Sequence, residues 1–95
     1  MAVYLQSEKE GLHKLGAVTT FGRKGCDHCF PDDKAMSSKH FKIVLVSEKY
    51  WVVDLGSKNG TKLNDQRIIP ERNNLLLDGA MIEAGEQNFK FINIK

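Results

Sequence analysis

Clusters of turn-forming residues at Gly22, 31–33, 56–60, 64–65, 70–74, 78–79 and 85–86 cut this chain into short runs, and those runs alternate instead of repeating with helical period. The only early helical candidate, residues 7–15, is interrupted by Gly11 and offers too few turns to be stable. The run Phe41-Lys42-Ile43-Val44-Leu45-Val46-Ser47 sets Phe41, Ile43 and Leu45 on one face. After the polar break 47–49, Tyr50-Trp51-Val52-Val53-Asp54 reads as its hairpin partner. Further strands are expected at 3–5, 12–15, 17–21, 28–30, 61–63, 67–69, 74–77, 81–83 and 88–94. In the last of these, Phe89 and Phe91 face one way and Ile92 and Ile94 the other. Many short strands with frequent turns imply an all-β fold, a two-sheet β-sandwich with rigid strands and functional loops. Ile43 and Trp51 are expected in its core.

At 95 residues the chain has room for one domain over 1–95, since a protein this small buries only roughly 60% of the surface its unfolded form exposes. Its 41% apolar and 27% charged content is too hydrophobic for disorder. No run approaches the roughly 20 apolar residues of a membrane span, and the first nine residues are too polar for a signal peptide, so an intracellular protein, nuclear or cytoplasmic, is expected. A net charge of +2 is too small for a generic nucleic-acid or membrane binder. The basic excess is local. Residues 22–62 hold eight basic and five acidic residues, whereas the remainder holds six and seven.

Three loop segments concentrate polar chemistry: Phe21-Gly22-Arg23, Ser37-Ser38-Lys39-His40, and Asp54-Leu55-Gly56-Ser57-Lys58-Asn59-Gly60-Thr61 with Asn64 beyond it. A guanidinium and hydroxyls on such loops suit a phosphate, which carries about −1.5 to −2 charges and three acceptor oxygens. Gly22 can take positive φ and turn the chain as its strand ends, and Asn59-Gly60 suits a tight hairpin with positive φ at both residues.

These blocks, in this order and spacing, resemble the forkhead-associated (FHA) domain family: Gly-Arg, then Ser-x-x-His, then Asp-x-x-Ser-x-Asn-Gly-Thr-x-x-Asn, closed by Asp78-Gly79, Met81-Ile82 and Gly85. The resemblance covers nearly the whole chain. It implies a β-sandwich that presents its loops at one end to bind phosphothreonine in a partner protein, with no enzymatic activity and no cofactor. It assigns Arg23 and Ser37 to the phosphate, with Ser38 and Lys39 beside them, and Asn59 with neighbouring Lys58 to the peptide. Gly22, His40, Gly60 and Asn64 support the loops. Ser38 stands where many family members carry Arg or Asn, so it offers the phosphate no charge. The residue three places after the phosphothreonine is expected to be weakly selected, with an aliphatic preference through Met36 and a salt-sensitive acidic one through Lys58.

Other chemistries fit less well. Ser37, His40 and Asp54 form a nominal triad, but neither a nucleophile elbow nor an oxyanion-hole element accompanies them. Cys26-Asp27-His28-Cys29 is half of a zinc site without a second ligand pair, and the cysteines are read instead as a strand and its edge, with His28 where the family has an aliphatic residue. A phosphate-independent interaction domain that uses a sandwich face is the alternative function. No metal is expected. Elemental analysis of protein purified without added metal should show no stoichiometric zinc, and one equivalent would revive the Cys26/Cys29 reading.

Overall fold

The computed structural model describes residues 2–94. Eleven strands form two sheets: β1 (Ala2–Ser7), β2 (Gly11–Lys14), β3 (Val18–Gly22), β4 (His28–Cys29), β5 (Phe41–Val46), β6 (Lys49–Asp54), β7 (Thr61–Leu63), β8 (Gln66–Arg67), β9 (Asn74–Leu75), β10 (Met81–Ala84) and β11 (Gln87–Ile94). One sheet runs β2-β1-β11-β10-β7-β8 and the other β4-β3-β5-β6-β9. Neighbouring strands are antiparallel except β3 and β4, which pair in parallel through Phe21↔His28 and Gly22↔Cys29. This is the expected all-β sandwich, and among the described residues no helix is long and apolar enough to cross a membrane.

Alternation explains the core. On β5 Phe41 and Ile43 are fully buried, on β11 Phe89 and Phe91, and on β10 Ile82 and Ala84, so both sheets turn these side chains toward one apolar cluster. Phe21 stacks on Phe41 with ring centroids 4.8 Å apart, and Phe89 meets both edge-on at 5.6 Å. Hairpin geometry is supplied partly by residues other than glycine. Ser47 and Glu48 (φ 53° and 64°) turn β5 into β6, and Asn64 and Asp65 (φ 50° and 69°) turn β7 into β8.

The structure corrects one core expectation. Ile43 is buried, but Trp51 lies half-exposed on the outer face of the five-stranded sheet, in a transverse row with Val18, Val44 and Leu75, and its indole N–H donates to the Val46 carbonyl at 3.2 Å. The inward residue is Val52, paired with Ile43.

His13 sits at the rim of the aromatic cluster, edge-on to Phe30 at 5.4 Å and to His28 at 4.7 Å, with its Nε2 buried and unpartnered. Burial first, and the neighbouring His28 second, lower its pKa below the ordinary 6.5. Such a base binds fewer protons folded than unfolded, so its contribution is complete above pH 6.5 and declines as pH falls. Two outcomes are expected. Ile43→Ala should cost about 2–5 kcal/mol in urea unfolding and Trp51→Ala less, about 1–2 kcal/mol. Unfolding midpoints should fall on acidification from pH 7.5 to 5.5, and His13→Phe should flatten that decline.

Candidate functional site

Three loops leave the same end of the sandwich because β3, β5, β6 and β7 begin or end there, and hydrogen bonds hold them in register. Arg23 follows the last residue of β3, and its backbone N–H donates to the Ser37 carbonyl at 2.9 Å. Gly22 allows this close approach. A Cβ there would collide with the Ser38 carbonyl oxygen and lie 2.8 Å from Cys26 Sγ. Clearance, not the expected positive φ, is therefore what requires glycine at this position.

His40 is fully buried and joins two loops through its ring. The Ser37 N–H donates to Nδ1 at 3.0 Å, and Nε2 lies 2.8 Å from the Gly60 carbonyl. An accepting Nδ1 and a donating Nε2 assign the neutral Nε2–H tautomer. A serine protease triad is ruled out by the same contacts: His40 meets the Ser37 main chain, while Ser37 Oγ accepts from the Lys58 N–H at 3.0 Å.

Asp54, at the end of β6, shapes the loop bearing Lys58 and Asn59. Its Oδ2 accepts the N–H groups of Gly56 and Ser57, both at 3.1 Å. Its Oδ1 accepts the hydroxyls of Ser57 at 2.6 Å and Thr61 at 2.7 Å. Burial pushes this carboxyl up, but the hydrogen bonds from Ser57 and Thr61 outweigh it and hold it below the usual carboxylate range. Gly60 has φ +83° whereas Asn59 does not adopt positive φ, contrary to the expected turn, and Asn59 Nδ2 instead donates to the Ala35 carbonyl at 2.8 Å.

The remaining expected residues divide. Ser38 is half-buried, with its carbonyl accepting from Lys24 N–H at 3.3 Å and Cys26 Sγ at 2.8 Å; Lys39 and Lys58 are exposed. Asn64 lies at the other end of β7, where its side chain accepts from Met81 N–H at 2.9 Å, so it fastens the β7–β8 turn to β10. Met36 is buried in the core and cannot line a peptide contact as expected. Cys29 ends β4, and Cys26 packs against the Ser38 carbonyl. Among the described residues no three His, Cys, Asp or Glu side chains are grouped for a metal.

Most telling is Arg23 itself. Its Nε is buried without a hydrogen-bond partner, beside the Ser37 carbonyl that accepts its own backbone N–H. Sequence reasoning missed two supporting residues. One is Asp54, whose signal was a carboxylate followed by glycine and serine, the setting of an Asx turn. The other is Asp33, a buried carboxylate that accepts from Ala35 N–H at 3.1 Å and Glu86 N–H at 2.8 Å and so clamps the loop before Ser37 to the β10–β11 turn.

The FHA domain family model matches residues 19–85. The chain belongs to the FHA domain family. It is 33% identical over 96% of its length to an FHA domain-containing protein of Arabidopsis thaliana, covering 25% of that protein. It is 37% identical over 82% of its length to a serine/threonine-protein kinase of Saccharomyces cerevisiae, covering 9% of it. The chain thus spans a quarter or less of these relatives. Among solved structures, Mycobacterium tuberculosis EmbR in complex with a low-affinity phosphopeptide superposes with a TM-score of 0.86 at 30% identity, over 96% of this FHA domain and 24% of that chain. An Arabidopsis thaliana FHA domain superposes at 0.85 with 28% identity, over 99% of this chain and 86% of that one.

Asp54→Ala removes four hydrogen bonds and should lower the stability of this FHA domain by about 3 kcal/mol at pH 7. A depressed folded pKa contributes stability that is complete above the ordinary 3.8 and is lost as pH falls through the folded value. The gap between wild type and Asp54→Asn, read by urea unfolding, should therefore narrow below about pH 4.

Proposed function

We propose that this FHA domain is a non-enzymatic phosphothreonine-binding module that docks onto a protein modified by a kinase. The observation that carries the reading is the buried, unpartnered Nε of Arg23, placed where the loops bearing Ser37 and Lys58 converge. A buried guanidinium nitrogen without an acceptor is costly, and a phosphate oxygen satisfies it with a charge-assisted bond. Arg23 and Ser37 bind the phosphate, with Ser38 and Lys39 at its rim. Asn59 Nδ2 is already engaged, which turns its amide oxygen to the task of accepting a peptide N–H. His40, Gly22 and Gly60 hold these groups in place, and Asn64 supports the hairpin behind them. The solved EmbR complex with a phosphopeptide supports the ligand class. The protein works inside the cell, where serine/threonine kinases act. No metal or cofactor enters this function, and nucleic acid is not its partner.

The phosphate-independent alternative draws on one observation, the apolar row Val18, Val44, Trp51 and Leu75 on the outer sheet face. Arg23→Ala separates the two: it should lower phosphothreonine-peptide affinity at least a hundredfold while leaving any association through that face intact. A phosphoserine twin should bind several-fold more weakly than phosphothreonine, because it lacks a methyl whose burial contributes about 0.8 kcal/mol. Equal affinities by calorimetry would contradict this site.

A further inference from the structure

Behind Gly60 the sandwich opens at the edge between β8 and β9 into a groove of about 410 Å³. Arg67 and Arg72 supply its cations, Gln66 and Asn73 its amides, and Leu63 and Ile68 an apolar floor. No acidic residue lines it, although Asp65 and Glu71 are close in sequence. Arg67 faces Lys62 in register across the β7–β8 hairpin, and Lys62 faces Glu83 of β10 on its other side, so Arg67 ends this row of three charges at the sheet edge. The Arg67 guanidinium also lies against Gly60, since a Cβ on Gly60 would come within 2.6 Å of its Nε and 2.9 Å of Nη2. Gly60 in turn follows Asn59 and accepts from His40. One wall of the groove therefore begins where the peptide site ends. Two exposed guanidiniums over an apolar floor suit a peptide that brings carboxylates, which arginine engages through paired hydrogen bonds.

We infer that this groove is a second recognition site that takes an acidic, aspartate- or glutamate-bearing stretch of the same partner chain whose phosphothreonine occupies the Arg23 site. The inference rests on the phosphothreonine reading for the order in which the two segments lie. A tract three to six residues from the phosphothreonine lies roughly 10–20 Å from it along an extended chain, and this is the spacing the inference calls for. Each arginine contact is solvent-facing, so the gain is modest and falls with salt.

The test compares phosphothreonine peptides carrying a three-aspartate tract, on either side, with serine-substituted twins. One tract should raise affinity about fivefold at low ionic strength and about twofold or less at 0.5 M salt. In an Arg67→Gln/Arg72→Gln double variant, chosen because glutamine removes the charge and keeps a polar side chain at each position, that gain should vanish while the neutral twin binds within twofold of wild type. No gain in wild type, a gain that survives the double variant, or an equal loss for both peptides would overturn the inference. So would a gain from a second phosphoserine in place of the tract with none from aspartates. An unphosphorylated aspartate peptide, followed by amide NMR, should shift Arg67 and Arg72 in wild type and equally in Arg23→Ala. If phosphothreonine binding fails but those shifts persist, the groove stands and the phosphothreonine reading falls; absent shifts would count against the groove.

Discussion

Four hydrogen bonds converge on His40, and the functional end of the domain depends on them. Its N–H donates to Phe21 O at 2.9 Å where β3 ends, and its carbonyl accepts from Leu55 N–H at 2.9 Å where β6 ends. Its ring joins Ser37 to Gly60. A side chain with zero exposure cannot trade these partners for water, so breaking one leaves a buried polar group unpaired. The imidazole therefore acts as a spacer that fixes the distance between the loop of Ser37, to which Arg23 is hydrogen-bonded, and the loop of Lys58 and Asn59. Asp54 does the same within the second loop, and Asp33 ties the approach to Ser37 onto the opposite sheet.

Such a scaffold sets the positions of the polar groups at this end in advance. Ser37 Oγ accepts from Lys58 N–H and still carries a hydroxyl hydrogen to offer, while Arg23 Nε is buried without an acceptor. A ligand that brings phosphate oxygens finds the loops already ordered, which lowers the entropic cost of binding. The strands contribute by rigidity and the loops by chemistry, a division that FHA domains share with other sandwiches.

Much of this was legible in the sequence because strand alternation and turn residues are local signals. All eleven expected strands correspond to strands of the structure, and the Arg23, Ser37 and Asn59 segments do meet at one end. What failed were questions of facing and clearance. Trp51 and Val53 are both apolar although Val52 points inward, so alternation on β6 was silent about which face was the core. Met36 sits in a loop without periodicity, and its burial follows from contacts distant in sequence. Gly22 announced a special backbone position but not whether conformation or proximity demanded it. The contact of the Arg67 guanidinium with Gly60 joins positions on two strand ends and has no local signal in the sequence.

The central claim is that phosphate is held where the three loops meet. Amide NMR of the domain titrated with a short phosphothreonine peptide tests it most directly. The account predicts the largest shifts at Arg23, Ser37, Ser38, Lys58 and Asn59, and no such shifts with the unphosphorylated twin. Shifts centred on Val18, Val44 and Trp51, or shifts indifferent to phosphorylation, would contradict it.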